Sequence, residues 1–222
     1  MDIKSIVFTA SGNEATIGTD EGYFDITRAD LFDFCNEFLG EDVLPLVKSA
    51  QICDVLPLYA DESATQALCG MAEKLKAIKY AVYLLGINDK SEKTLRQKLK
   101  LKGYSAKATD EAFVILKKNG YLSDERYCRR ACELMANGKL FGRRRLVSEL
   151  MAKGLSYDLC SRVVDEAEID FEENLRMLFE KVSKGKAPSS WEEKKKLSDK
   201  LLRYGYSYDE VGALFDEVCG DF

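Results

Sequence analysis

Three glycines recur at intervals of 51 residues, Gly103, Gly154 and Gly205, and each closes the same phrase. It reads Leu95-x3-Leu99-x3-Gly103, Leu146-x3-Leu150-x3-Gly154 and Leu197-x3-Leu201-x3-Gly205. The next two residues repeat as well, as Tyr104-Ser105, Leu155-Ser156 and Tyr206-Ser207. Leucines four apart share one face of an α-helix and make a buried stripe. Glycine four residues further on suits the position just past a helix end, where the chain turns through the left-handed region. The residue after the glycine then packs back on the helix, and the serine is a good cap for a new one. Ser207 with Glu210 has the spacing of a capping box. Each copy therefore predicts a helix, a turn of about three residues and another helix. A register shared without insertion points to three copies of one helical unit.

Around this skeleton the rest of the chain falls into place. Residues 3–10 and 14–19 alternate and are separated by Ser11-Gly12-Asn13, with Tyr23 to Ile26 as a third short strand. Thr27 caps a helix from about Arg28 to Leu39, with Leu31, Phe34, Cys35 and Phe38 on one face. The stretch Gly40 to Tyr59, with two prolines, is ambiguous, and a short helix at 43–50 is one reading of it. Helices are expected from Ser63 to Leu85, from Ser91 to Gly103, onward to Lys118, and from Ser123 to Asn137-Gly138. A further unit opens near Asp170 and is interrupted by Lys184-Gly185-Lys186-Ala187-Pro188. The expected fold is mainly α: a tandem array of three-helix repeats, elongated and curved, preceded by a small N-terminal β-sheet plus helix region. Residues 1–60 form a small α/β domain, 61–120 repeat 1, 121–169 repeat 2 and 170–222 repeat 3. Units of about 50 residues bury their apolar faces poorly alone, so neighbours are expected to stack.

Charge is the second constraint. The net of −5 over 222 residues conceals a basic middle. Residues 1–70 carry 3 cations and 13 carboxylates, 71–155 carry 20 and 9, and 156–222 carry 10 and 16. A segment of net +11 between acidic ends points to an anionic partner surface. The candidates are Arg96, Lys98, Lys100 and Lys102 in repeat 1, then Arg126, Arg129, Arg130, Arg143, Arg144, Arg145 and Lys153 in repeat 2. Arg143-Arg144-Arg145 stands out, because a guanidinium grips phosphate or carboxylate with two parallel hydrogen bonds. The opposing reading is a solvated face whose i,i+4 ion pairs contribute only about 0.2–0.5 kcal/mol each. Tyr104, Tyr121 and Phe141 lie among these charges, either stacking on bases or packing the turns.

Several chemistries are disfavoured. The chain has no histidine, which removes the commonest general base, and no phosphate-binding glycine loop. Its seven cysteines include no Cys-x-x-Cys pair. Cys128 and Cys132 share a helix face and read as small buried hydrophobes, with a soft-metal site as the alternative. Glu166, Glu168 and Asp170 read as a polar helix end rather than a metal cage. No catalytic role, cofactor or metal is expected. No apolar run of about 18 residues exists and the N-terminus does not read as a signal segment, so a cytoplasmic protein without membrane contact is expected.

The basic segment resembles the RecX family of recombination regulators. The likeness runs through Lys79-Tyr80-Ala81-Val82-Tyr83-Leu84-Leu85 and Ser91-Glu92-Lys93-Thr94-Leu95-Arg96-Gln97-Lys98-Leu99-Lys100-Leu101-Lys102-Gly103-Tyr104. It continues in Asn119-Gly120-Tyr121-Leu122-Ser123-Asp124-Glu125-Arg126-Tyr127, in Leu140-Phe141-Gly142-Arg143-Arg144-Arg145-Leu146, and in Glu149-Leu150 and Lys153-Gly154. Where the family usually carries an arginine-rich stretch, this chain has Gly86-Ile87-Asn88-Asp89-Lys90. The resemblance implies a non-enzymatic modulator, an inhibitor, of the RecA recombinase that binds the RecA–single-stranded DNA filament groove. It also implies a place in DNA recombination, DNA repair and the SOS response, a monomer, and weak direct DNA binding. The alternative is a general nucleic-acid-binding helical module of helix-turn-helix type, and a third reading is a plain scaffold that uses an apolar concave face.

Overall fold

The structure, a computed structural model, describes residues 1–39 and 53–219. It is mainly helical, with a small antiparallel sheet near the N-terminus. The helix considered for 43–50 lies outside the described residues. Two compact units divide the chain: Met1–Asn88 with Arg96–Tyr121, and Asp89–Leu95 with Leu122–Phe222.

The first unit begins with strands Asp2–Phe8 (β1), Glu14–Thr19 (β2) and Tyr23–Thr27 (β3), as the alternation predicts. A fourth strand, Cys53–Tyr59 (β4), was not expected; the sheet order is β3-β2-β1-β4, all antiparallel. Pro57 argues against a strand only when both neighbours need its missing N–H. Here β4 is an edge, and the register slips by two residues around Pro57, from Ile3 opposite Leu58 to Ser5 opposite Asp54. One sheet face buries Ile3, Ile6, Ala15, Ile17 and Ile26.

Helix Arg28–Phe34 (α1) follows directly, its first turn held by Thr27, whose hydroxyl accepts from the Asp30 N–H. A π-helical stretch, Cys35–Leu39, extends it and keeps Leu31, Phe34 and Cys35 on the core. The long helix Glu62–Ile87 (α2) lays Ala64, Leu68 and Ala72 across the same core. It is capped by Asp61, whose carboxylate accepts from the Ala64 N–H at 2.8 Å. Helices Glu92–Lys102 (α3) and Ala106–Lys118 (α4) complete the first triplet; α4 packs on α2 and has Ala112, Phe113 and Leu116 buried.

The second unit holds Asp124–Lys139 (α5), Arg143–Ala152 (α6), Tyr157–Glu166 (α7), Phe171–Ser183 (α8), Trp191–Arg203 (α9) and Tyr208–Cys219 (α10). One continuous core joins these two triplets, including Leu146, Leu150, Leu155, Phe171, Leu175, Leu201, Tyr206 and Phe215. Of the six leucines in the repeated phrase, five are fully buried and Leu197 is half-buried.

The three repeat glycines have φ of +97°, +93° and +97°, as their helix-ending role requires. Gly103 N–H donates to Lys100 O at 3.0 Å and Tyr104 N–H to Leu99 O at 3.2 Å, the pair of bonds that closes a helix through a left-handed residue. The Ser207–Glu210 capping box forms in both directions, at 2.7 and 3.2 Å. One expected end was misplaced. Helix α5 does not stop at Asn137-Gly138 but runs to Lys139, and Leu140 takes the left-handed turn with φ of 57°. Packing outweighs glycine's local preference there. The Leu140 side chain is buried, and its carbonyl accepts from the buried Tyr206 hydroxyl at 3.2 Å.

Cys128, Cys132 and Cys160 lie together in the second core, and Cys35 lies in the first. Burial pushes the Cys128 thiol up to about 12, and Cys132 and Cys35 up to about 11, from an ordinary 9.0. The fold thus favours the protonated thiols. Their contribution to stability is complete below about pH 9 and is lost as pH rises toward 11–12. In a mapped thiol-labelling experiment at pH 8, Cys69, which is exposed, should react in the folded protein. Cys35, Cys128, Cys132 and Cys160 should react only on unfolding, and fast native labelling of any of the four would contradict this burial.

Candidate partner-binding surface

The candidate cations divide by what already holds them. In the first unit, Arg96 Nη1 donates to Asp110 Oδ1 at 2.5 Å and its guanidinium lies 4.7 Å from the Phe113 ring centroid. The Lys102 ammonium sits 5.7 Å from the Tyr80 ring. Lys98 and Lys100 are exposed and form no ion pair among the described residues, with Leu101, 87 % exposed, beside them. Tyr104 is half-buried at the turn. Its ring packs 6.0 Å from that of Tyr80, its hydroxyl donates to Lys76 O at 3.3 Å, and burial raises its pKa. Phe141 is likewise packed, 5.9 Å from Tyr204 and 5.2 Å from the Arg145 guanidinium.

In the second unit, Arg129 bridges Glu125 at 3.0 Å and Glu166 at 2.8 Å, and Arg162 closes the ring through Glu125 at 3.3 Å. Hydrogen bonds from Arg129 and then Arg162 hold the Glu125 carboxyl below its usual range. The same tie recurs in the third triplet, where Arg176 on α8 meets Glu217 on α10 at 3.1 Å. Arg129 and Arg176 stand at the same place in their first helices, six residues beyond the caps Ser123 and Asp170. Glu166 and Glu217 stand at the same place in their third helices, 51 residues apart. A pair that recurs at matched positions clamps first helix to third, which makes Arg129 and Glu166 structural. Arg130 pairs with Asp89 at 2.7 Å, and Arg126 is exposed on the same helix.

The arginine triplet sits where the second triplet meets the third. Arg143 donates to Glu210 at 3.1 Å and covers the Phe171 ring at 4.1 Å. Arg145 pairs with Glu149 at 2.8 Å. Arg144 uses its backbone N–H on Gly205 O at 3.2 Å, but its side chain is exposed and has no ion pair among the described residues. Lys153 is exposed in the same way, while its carbonyl accepts from the buried Ser91 hydroxyl at 2.5 Å. That bond has a counterpart 51 residues on, Gly142 N–H to Tyr204 O at 2.8 Å. These joint contacts were not foreseen, and the matched spacing of Ser91 with Gly142 and Lys153 with Tyr204 is the signal that carried them.

Among the described residues no group of three or more Cys, Asp or Glu is placed to hold a metal ion, and no helix is long and apolar enough to cross a membrane. The arrangement offers exposed cations on helical faces.

A family model described as RecX, first three-helix domain, matches residues 77–113. The chain is 35 % identical over 142 residues to the Regulatory protein RecX of Actinobacillus pleuropneumoniae serotype 5b, covering 63 % of this chain and 91 % of that protein. It is 33 % identical to that of Haemophilus ducreyi, covering 64 % and 93 %. It is 26 % identical to that of Clostridium botulinum strain Eklund 17B, covering 82 % and 89 %. The fold is similar to a crystal structure of regulatory protein RecX, with a TM-score of 0.73 at 16 % identity, covering 97 % and 98 % of the two chains. A RecX structure from Lactobacillus salivarius has a TM-score of 0.61 at 19 % identity, covering 66 % and 97 %.

Proposed function

Because the chain belongs to the RecX family of regulatory proteins, we propose that it is a non-enzymatic inhibitor of the RecA recombinase in the cytoplasm. It acts as a monomer, binds the RecA filament on single-stranded DNA along its groove, and restrains ATP turnover and strand exchange in recombination, repair and the SOS response. Residues 61–120 and 121–169, the first two repeat units, carry the contact. The observation that supports this reading most is the set of candidate cations left without a carboxylate among the described residues: Lys98, Lys100, Lys102, Arg144 and Lys153. An unpaired exposed cation keeps its charge for an anionic partner, whereas one already bridged must first give up its bond. Arg96, Arg129, Arg130, Arg143 and Arg145, all bridged, contribute less to binding and more to the fold.

The test is the DNA-dependent ATPase of RecA from the same organism across a dose series of this protein. Turnover should fall at equimolar or lower doses. Arg144→Glu should raise the dose for half-inhibition roughly tenfold, the effect of about 1.4 kcal/mol, while Arg129→Gln leaves it within twofold. No effect of the unaltered protein on ATPase or filament length at any dose would sink the reading.

A further inference from the structure

The ion-pair ring of the second triplet has an incomplete copy in the third. In the second, two arginines alternate with two glutamates. Arg129 meets Glu125 and Glu166, and Arg162 meets the same two carboxylates at 3.3 and 3.8 Å. Three of these four positions keep their chemistry in the third triplet. Glu125 and Glu172 each stand two residues beyond their helix caps, Arg176 answers Arg129, and Glu217 answers Glu166. The fourth does not, because the residue 51 positions beyond Arg162 is Ala213.

The missing guanidinium leaves both a charge and a space. Glu172 forms no ion pair among the described residues, while Arg176 pairs with Glu217 and lies 3.9 Å from Glu173. Three carboxylates therefore stand against one guanidinium. Both hydrogen bonds from Arg176 fall on Glu217 Oε2, at 3.1 and 3.4 Å, and none from a described residue reaches Oε1. Beside them a cleft of about 150 Å³ opens between α8 and α10, with Leu175, Leu214 and Phe171 on its apolar wall and Ala213 at its mouth. Arg143 covers the Phe171 ring and pairs with Glu210, so Glu172 and Glu217 remain the open acceptors.

The second triplet displays the occupant that this arrangement takes. There Arg162 lays a planar guanidinium across two carboxylates, which an ammonium, a compact point charge, bridges less well. The buried leucines of the cleft suit the methylene stem that carries a guanidinium. We propose that the α8–α10 cleft is a docking slot for an arginine side chain presented by a partner polypeptide, with Glu172 and Glu217 as its acceptors. The slot lies outside the repeats assigned to the recombinase contact. It is also opposite to them in sign, since it takes a cation.

The test contains no recombinase, so its failure and that of the inhibitor reading are separable. An acetylated and amidated peptide, Ala-Ala-Arg-Ala-Ala, is titrated into the full chain beside its lysine counterpart, and amide and methyl resonances are followed by NMR. Saturable shifts centred on Leu175, Ala213 and Leu214 are expected, with the lysine peptide at least about threefold weaker. Glu172→Gln with Glu217→Gln should weaken the arginine peptide at least about fivefold. Ala213→Arg should weaken it at least about tenfold, because its own guanidinium completes the ring. Ala213→Ser, which adds no reach, should leave affinity within about twofold. All three positions are exposed, so every variant should keep the parent circular dichroism. The proposal is overturned by shifts that do not saturate or that centre elsewhere, by equal binding of the lysine peptide, or by parent-like affinity in Ala213→Arg or in the double glutamine variant. Free arginine binding more tightly than the peptide would assign the slot to a small molecule, and self-association lost in Ala213→Arg would assign it to a second copy of this chain. Either result also overturns it.

Discussion

Replacing Gly205 by alanine is expected to destabilise the second unit by roughly 3 kcal/mol or more, from a left-handed backbone and an overpacked contact together. Two independent terms meet at this residue. Its φ of +97° disfavours any side chain, and an added Cβ would run into the backbone N and the Cβ of Arg145. The repeat contains its own controls. Gly103 has the same φ with open space around it, so Gly103→Ala should cost only about 1–2 kcal/mol, the conformational term alone. Gly142 has an ordinary φ of −75°, but its Cβ would lie 2.6–2.7 Å from the backbone of Gly205 and Tyr206. Gly142→Ala therefore isolates the steric term, about 3 kcal/mol because backbone on both sides cannot step aside. Hydrogen exchange of the amides of α4 and of α9 reads the first and second units separately, so that each glycine's loss is measured in its own unit. Equal losses for Gly103→Ala and Gly205→Ala would refute the joint as the reason for the third glycine.

The second large effect belongs to the first unit. Lys74 on α2 pairs with Asp30 on α1, with 13 % and 9 % of the two side chains exposed, and its ammonium also lies 3.8 Å from Glu111. Asp30 further accepts from the Thr27 hydroxyl at 2.7 Å. Lys74→Met keeps the packing of the stem but leaves a buried carboxylate without its cation, an expected loss of about 3 kcal/mol. Adding Asp30→Asn should restore at least half of it, since the amide still accepts from Thr27 and carries no charge. Hydrogen exchange of the β1 and β2 amides is the suitable measurement, because both strands lie in this unit. A double variant no more stable than Lys74→Met would show that the loss comes from packing.

Much of the local architecture was legible in the chain, for a local reason. Helix ends are decided by one or two residues whose chemistry acts over a single turn, so Gly103, Gly154, Gly205, Thr27, Ser123 and Ser207 take the roles their types predict. Reading failed where distant residues decide. Pro57 is tolerated because β4 falls at an edge, and Leu140 turns left-handed because Tyr206 and the core hold it. The charges show the same division. Composition locates a cation-rich segment but cannot distinguish Arg144, which is exposed and unbridged, from Arg143 beside it, which closes on Glu210 and Phe171. Summing charge over the whole third repeat also hid the lysines of α9 behind the carboxylates of α8 and α10.

The sequence by itself determined the repeat, its helices and turns, and the family, because each rests on short-range spacing that survives without a partner. Only the tertiary structure decided which cations remain for another molecule and why Gly205 tolerates a side chain less than Gly103 does. An ion pair or a close backbone approach joins residues tens of positions apart, and their meeting depends on how the helices pack.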